Sequence, residues 1–403
     1  MPFRGPAPYH RRVPRLLRLE GRIQPYAWGS LTRIPALLGR PSGPAPAAEL
    51  WLGTHPAAPS TARDRDIDRP LDALVGRLPW LLKVLAIERP LSLQVHPTSR
   101  QARAGAGSTA FPDRRAKPEL VVALEPTRVL AGIRPARLTL AAVAALGSPA
   151  LIAAFAPLAG VGGAGGPAGA GPAAVLRTLL TAPAGERAAL LAETLAAARR
   201  VVAAGGGATV LARRAADLIL RLQAAHPDDP AIPAALLLAE VELAPGEGLY
   251  LAPRMPHAYL SGFAIEVMAS SDDVVRGGLT PKPVDVEAFL AVVDARLHRP
   301  VVRRARPVPG APGVTRWPVP VPDFALLEAC VDGTTVVPLA GPAIALVLEG
   351  EVVARADDGV PLTLRRGESV VAFDGAARLE LSGAGRLVVA RAGWPMGRPD
   401  RAD

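Results

Sequence analysis

The sequence predicts a mainly β protein that is interrupted by a helical insert. Over residues 21–130, short apolar runs are broken by proline and glycine, which is typical of β-rich structure. Residues 136–225 are instead rich in alanine and leucine at helical spacing. Short apolar runs with turn residues return before residue 257 and continue over 301–397, a spacing that suits a jelly roll.

Changes in composition divide the chain into four predicted segments. Leu176, Leu179 and Leu180 have the spacing of one helix face, and the glycine-rich run 160–172 is typical of a loop. We expect a basic leader with few apolar residues at 1–17. A β domain follows at 18–135 and resumes at 235–300, and between these two parts lies a helical insert domain at 136–234 that contains the loop 160–172. A second β domain follows at 301–403.

The positive charge of the chain does not indicate nucleic-acid binding. The net charge of +10 comes from 43 arginines and three lysines against 36 acidic residues. The arginines are scattered, and no zinc-finger, RRM or KH signature accompanies them. Lysines that remain in so arginine-rich a chain are candidates for a compact charge in a tight pocket. We therefore expect a small anionic substrate and no nucleic-acid partner.

Cysteine content and apolar runs predict a cytoplasmic protein. No apolar run of about 18 residues marks a membrane span, and no signal-peptide core follows the basic start. Cys330 is the single cysteine, which excludes an intrachain disulfide and a cysteine-rich zinc site. We expect its thiol to be buried, because it follows an apolar segment. No membrane partner is expected.

Polar side chains alternate with apolar ones in the segment 90–97. In a strand, residues two apart share a face, so Ser92, Gln94 and His96 converge while Leu93 and Val95 face the opposite layer. An isolated Gln-x-His pair is more often a buried hydrogen-bonding pair in a sheet. The rest of the chain decides between that interpretation and a metal site.

Three further residues favour a metal site. Lys117 and Glu119 are again two apart, and His257 follows a proline far downstream. Together with Gln94 and His96 they offer two imidazoles, a carboxylate and an amide oxygen to a divalent metal, with a lysine beside them. The spacing alone leaves zinc, iron and manganese open.

Six motifs together resemble type I mannose-6-phosphate isomerases over residues 20–300. The motifs are Ile23-Gln-Pro-Tyr-Ala-Trp-Gly-Ser30, Ala48-Glu-Leu-Trp-Leu-Gly-Thr-His-Pro56, Leu91-Ser-Leu-Gln-Val-His-Pro97, Ala116-Lys-Pro-Glu119, Pro256-His-Ala-Tyr-Leu-Ser-Gly262 and Ser271-Asp-Asp-Val-Val-Arg-Gly-Gly-Leu-Thr-Pro-Lys282. The resemblance implies a zinc enzyme with two cupin-type jelly-roll domains and a helical insert. It also implies interconversion of mannose 6-phosphate and fructose 6-phosphate, an aldose–ketose isomerisation by proton transfer between C1 and C2 through an enediol(ate).

The resemblance assigns roles to residues of this chain. It implies that one zinc ion is held by Gln94, His96, Glu119 and His257. It places Arg276 in the active site as a stabiliser of negative charge, and Glu266 is the candidate base, although a role in orienting a neighbour is equally open. The implied phosphate and substrate contacts are Ser92, Lys117 and Lys282, followed by Trp28, Glu49, Tyr259 and Asp272.

Two residues depart from the pattern of the family, and two other functions stay open. Ala116 and Asp273 stand where the family often has histidine and asparagine, which leaves fine substrate geometry in doubt. The alternatives are another cupin metalloenzyme and a non-catalytic cupin that binds sugar phosphates. Residues 301–403 contain no histidine, so we expect a second cupin-like domain without a metal. We expect a monomer that acts in mannose metabolism.

Overall fold

Strands dominate the chain, and a block of helices interrupts them. The computed structural model describes residues 16–64, 67–105, 111–159, 171–296, 300–357, 359–373 and 375–393. Most of the predicted leader (1–15) and of the glycine-rich loop (160–170) lies outside these residues. Among the described residues, no helix is long and apolar enough to cross a membrane. The prediction of a mainly β fold with a helical region is confirmed.

The described strands form two large sheets. In chain order they are β1 (Leu16–Glu20), β2 (Arg22–Gln24), β3 (Glu49–Leu52), β4 (Thr61–Asp64), β5 (Ile67–Pro70), β6 (Trp80–Ile87), β7 (Leu93–Val95), β8 (Glu119–Ala123), β9 (Thr127–Ile133), β10 (Leu238–Leu243), β11 (Glu247–Leu251), β12 (His257–Ala269), β13 (Val275–Gly278), β14 (Val302–Arg304), β15 (Arg306–Pro307), β16 (Val314–Arg316), β17 (Ala325–Pro338), β18 (Ala343–Ala356), β19 (Leu362–Arg365), β20 (Ser369–Ala372) and β21 (Arg378–Arg391).

The helices concentrate between the ninth and tenth strands. They are α1 (Arg33–Leu37), α2 (Asp72–Val75), α3 (Ser99–Ala104), α4 (Ala136–Leu146), α5 (Pro149–Phe155), α6 (Pro172–Thr181), α7 (Ala184–Ala203), α8 (Val210–Ala225) and α9 (Val286–Val292). The buried leucines of α4–α8 form one core with Leu93 and Val95 of β7 and with Leu260 of β12. The helical block therefore covers one face of the sheet, the face opposite Gln94, as the alternation predicted.

Strand β12 organises the first sheet. It pairs antiparallel with β6 and β8 along its length and with β7 and β9 near its start. Apolar residues fill the core beside it, including Val121, Val129 and Leu249. Because its neighbours come from distant parts of the chain, β12 brings the separate sequence motifs together.

The second sheet contains strands from both ends of the chain. Its order is β15-β16-β17-β21-β18-β20-β1-β4-β5, with β19 beside β18. Leu16 pairs with Ala372, and Arg18 pairs with Arg63. The division into four segments stays a prediction, and the pairing adds that β1, β4 and β5 extend the C-terminal sheet. These strands cover an edge of β20 that would otherwise present unpaired backbone groups.

The two sheets share a buried core, and Cys330 lies outside it. Leu50 and Val84 of the first sheet pack in one cluster with Ile344 and Leu346 of the second. The expectation of a buried thiol is wrong, because Cys330 is exposed. Its neighbours along β17 point into the C-terminal core, so strand alternation turns the thiol to the surface.

Candidate metal centre and substrate pocket

His96, Glu119 and His257 come together on three neighbouring strands. Glu119 begins β8, His257 begins β12, and His96 directly follows β7. The Nε2 atom of His96 lies 3.2 Å from one Glu119 oxygen, and the Nε2 atom of His257 lies 3.5 Å from the other. The side chains are almost completely buried, with exposures of 1%, 2% and 0%. Each offers a ligand atom, and these atoms lie within 4.8 Å of one another.

The hydrogen bonds of the two imidazoles leave their inner nitrogens available to a metal. Nδ1 of His96 donates to the carbonyl of Asp273, and Nδ1 of His257 donates to the carbonyl of Met255, both over 3.0 Å. Each ring therefore points an unprotonated Nε2 inward. His96 Nε2 and one Glu119 oxygen are buried without a hydrogen-bond partner. Such atoms are costly to bury unless something binds them, so the set fits a cation.

Gln94 completes the group of potential ligands. Its backbone pairs with that of His257 across β7 and β12, and its amide nitrogen lies 3.1 Å from Nε2 of His257. Rotation of the amide about its last side-chain bond would direct the carbonyl oxygen to the same point. The four residues predicted from the sequence therefore line one small centre.

Burial and charge prepare these groups for a metal at neutral pH. Burial lowers the pKa of His96 to about 4, so the ring is neutral. Burial by itself would raise the pKa of Glu119, but His96 and Lys117 outweigh it, and the pKa is well below its ordinary value. The Nζ atom of Lys117 lies 3.2 Å from a Glu119 oxygen. The centre thus holds a neutral His96 imidazole and a carboxylate, the forms that bind metal.

Lys83 is a functional candidate that the sequence reasoning missed. It lies on β6 with its Nζ atom 3.3 Å from Glu49 and 3.4 Å from Glu266, and the three side chains are buried. Tyr259 donates a hydrogen bond of 2.8 Å to the other Glu266 oxygen, and the Trp51 indole donates to Glu49. The available signal was that Lys83 is one of three lysines and lies in an apolar strand.

The charged groups in this cluster shift one another's pKa values. Burial alone would lower the pKa of Lys83, but Glu49 and Glu266 together raise it. Burial and the nearby Glu119 raise the pKa of Glu266, although Lys83 opposes the shift. Burial and the charge of Glu266 raise the pKa of Tyr259 well above its ordinary value. Lys83 is thus a permanent cation, and Glu266 is a carboxylate of increased basicity.

Arg276 and Lys282 are two neighbouring cations, close enough to influence each other electrostatically. Arg276 lies on β13, where its backbone pairs with Gln94. Burial lowers the pKa of both side chains, and Arg276 lowers that of Lys282 further. Within the described part of the chain, no carboxylate forms an ion pair with either cation. Their charge is therefore available to an anion.

Trp28, Asp272 and Ser92 are the remaining predicted residues, and each has a defined place in the fold. Trp28 stacks on Tyr26, with 5.9 Å between the ring centres. An Asp272 oxygen lies 3.1 Å from Nε2 of His55, and this hydrogen bond lowers the pKa of Asp272. Ser92 directly precedes β7, two residues from Gln94.

Asp273, one of the two departures from the family pattern, supports the metal centre. Its carbonyl oxygen accepts the His96 hydrogen bond. Its carboxylate accepts hydrogen bonds of 2.8 Å from the backbone of Asp113 and of Arg115. The side chain therefore holds the segment that leads to Lys117, while the backbone orients a ligand.

Fold and site together define a cupin metalloprotein with a His–Glu–His centre. Residues 16–136 match the family model of the phosphomannose isomerase type I catalytic domain. The mannose-6-phosphate isomerase of Salmonella typhimurium is 33% identical, covering 92% of this chain and 98% of the relative, and that of Escherichia coli is 31% identical with the same coverage. The chain belongs to the mannose-6-phosphate isomerase family.

Solved structures agree with this membership. The Salmonella typhimurium enzyme bound to fructose 6-phosphate and zinc has a TM-score of 0.79 and 29% identity, covering 94% of this chain and 100% of that one. A zinc-bound mannose 6-phosphate isomerase structure has a TM-score of 0.80 at 29% identity with the same coverage. The fold with its two jelly rolls and helical region is thus that of a known family of isomerases.

Proposed function

We propose that this chain interconverts mannose 6-phosphate and fructose 6-phosphate with one zinc ion per chain. The observation that carries the proposal is the buried triangle of His96, Glu119 and His257, in which two atoms have no hydrogen-bond partner. These residues and Gln94 would hold the zinc. When bound, zinc supplies a Lewis acid that polarises the oxygens of the substrate.

Glu266 is proposed as the group that transfers the carbon-bound proton. Burial raises its pKa, and Tyr259 fixes one of its oxygens. In the forward direction the carboxylate takes the proton from C2 of open-chain mannose 6-phosphate. The electron pair of that bond forms the C1–C2 double bond, and the C1 carbonyl oxygen becomes an enediolate oxygen. Return of the proton to C1, with a hydroxyl proton moving from the oxygen of C2 to that of C1, gives fructose 6-phosphate.

Lys83 is proposed to keep Glu266 in its ionised form until the proton arrives. Its ammonium group lies 3.4 Å from Glu266 and 3.3 Å from Glu49. A permanent cation in this position opposes the pKa increase that burial causes, and so the carboxylate can act as a base near neutral pH. Glu49 is proposed to hold Lys83 rather than to touch the reacting carbons.

Arg276 is proposed to stabilise the enediolate, and its removal should slow turnover. We expect Arg276→Ala to retain zinc at the wild-type amount while kcat falls about 100- to 1000-fold, the usual effect of losing one preorganised donor to an oxyanion. Metal analysis and initial rates measure the two quantities. Arg40→Ala is the control, because Arg40 makes an exposed ion pair with Glu20. A near-normal kcat in Arg276→Ala would remove this residue from the mechanism.

The substrate phosphate is proposed to bind at the Lys282 side of the pocket. Lys282 has no ion-pair partner among the described residues, whereas Lys117 already contacts Glu119 at 3.2 Å. We therefore propose Lys282 as the main phosphate contact, with Lys117 and the Ser92 hydroxyl closer to the metal centre. Trp28, Asp272 and Tyr259 are proposed to bound the sugar.

The setting of the enzyme is also a proposal. We infer a cytoplasmic monomer that acts on a free phosphosugar, without a nucleic-acid or membrane partner. Scattered arginines and a single cysteine support this inference. Sedimentation of the purified chain would test the monomer, and a stable dimer would correct it.

Removal and return of zinc test the proposed function directly. We expect fructose 6-phosphate formation from mannose 6-phosphate to disappear after chelation and to return with added zinc, because His96 is neutral and Glu119 is ionised, the forms that bind a metal again. A coupled assay of fructose 6-phosphate measures the rate. A folded, zinc-loaded sample without activity would contradict the proposal and favour a binding protein or another substrate.

A further inference from the structure

Tyr26 contacts two of the residues proposed to bind the substrate, Lys282 and Trp28. The ammonium nitrogen of Lys282 is 5.0 Å from the centre of the Tyr26 ring. The ring in turn stacks on Trp28, with planes inclined by 26°. Tyr26 is thus placed between Trp28 and the cation that is proposed to bind phosphate.

The backbone near Lys282 is fixed, whereas no hydrogen bond or ion pair with another described residue holds its side chain. Gly278 has φ = 144°, and a side chain there would meet Ala231 at 2.2 Å. Thr280 donates its backbone N–H to Asp229, and Lys282 donates its own to Thr280. The loop is therefore tied to the segment after α8. A long lysine side chain on such a loop still loses rotamer entropy when it is held in one place.

The Tyr26 ring attracts this ammonium group without carrying a charge of its own. Arg276 is close enough to lower the pKa of Lys282, so the two cations repel each other. No carboxylate in the described ranges forms an ion pair with Lys282. An aromatic face attracts an ammonium group within about 6 Å and has no charge to compete with a phosphate for it. The ring can therefore place the cation without neutralising it.

We propose that Tyr26 is a positioning residue for phosphate recognition: its ring holds the Lys282 ammonium group at the site where the substrate phosphate binds. The inference rests on the proposed function and concerns a residue outside the proposed metal ligands, base and phosphate contacts. Its chemical consequence is selectivity. The pair favours substrates with a phosphate dianion and contributes nothing to the proton transfer.

Variants of Tyr26 separate this role from that of a pocket wall. We expect Tyr26→Leu to raise KM for mannose 6-phosphate about 2- to 5-fold, the factor that corresponds to a partly exposed cation–π contact, while kcat is unchanged. Tyr26→Phe keeps the ring and should restore KM. The inhibition constant of inorganic phosphate should rise by the same factor in Tyr26→Leu, because phosphate alone senses the ammonium position.

A double-mutant cycle with Lys282 tests whether Tyr26 acts through the Lys282 ammonium group. In Lys282→Met, the further change Tyr26→Leu should have no effect on KM, since the cation that Tyr26 positions is gone. Tyr250→Leu is the matched control, because Arg303 lies 5.8 Å above the Tyr250 ring away from the pocket. Additive effects of Tyr26→Leu and Lys282→Met would overturn the inference, as would failure of Tyr26→Phe to restore KM.

Calorimetric binding of fructose 6-phosphate distinguishes failure of the inference from failure of the proposed function. Wild-type protein that binds fructose 6-phosphate but does not turn it over would contradict the proposed reaction. The Tyr26–Lys282 cycle measured on the dissociation constant would then still test the inference. Wild-type protein that shows no binding at all would overturn both.

Discussion

His257→Ala should lose its zinc, and its rate of mannose 6-phosphate turnover should fall by more than about 100-fold. Substitution of a residue that only hydrogen-bonds to a metal ligand already lowers metal affinity or activity by about 10- to 100-fold. His257 is fully buried, and its Nε2 points at the Glu119 carboxylate at 3.5 Å. Metal analysis after desalting and the fructose 6-phosphate assay give the two readouts. Gln94→Ala should also lose zinc and activity. It should disturb the packing less, because Gln94 is only half-buried.

His226→Ala is the control for the loss of a histidine. The Nε2 atom of His226 contacts the Pro90 carbonyl at 3.0 Å, and this side chain is not among the candidate ligands. It should keep zinc and most activity. Circular dichroism should show both histidine variants folded. Zinc at the wild-type amount in a folded His257→Ala protein would contradict the ligand assignment.

Lys83→Met should give the largest loss of stability of any single change at the site. The substitution leaves Glu49 and Glu266 buried without their cation, and removal of one partner from a buried ion pair costs about 3–5 kcal/mol. Urea unfolding measures the change. Activity should fall as well, because Glu266 would bind a proton more readily and could not act as the base.

Two further variants distinguish charge from packing as the cause of that loss. Lys282→Met makes the same chemical change at an exposed lysine without an ion-pair partner among the described residues, and it should leave stability nearly unchanged. Adding Glu266→Gln to Lys83→Met should recover part of the lost stability, because one buried charge is removed. If Lys83→Met lost no more stability than Lys282→Met, the role proposed for Lys83 would be refuted.

The alternation of residues along β7 was sufficient to predict local geometry. Leu93 and Val95 lie in the core with the helical block, and Gln94 faces the metal centre together with His96. A strand has a period of two, so the sequence specifies which side chains share a face. The same period of two accounts for Cys330, whose exposed thiol follows from the alternation along β17 and not from the apolar segment before it.

Periodicity and motif chemistry are local properties of the chain, and they predict the fold class, the helical region and the set of candidate ligands. Only the tertiary structure placed Lys83 between Glu49 and Glu266, joined β1 to β20, and brought Lys282 over Tyr26. These contacts join segments far apart in sequence. Strand pairing and the packing of the whole core select them, and no local pattern specifies which distant edges will meet.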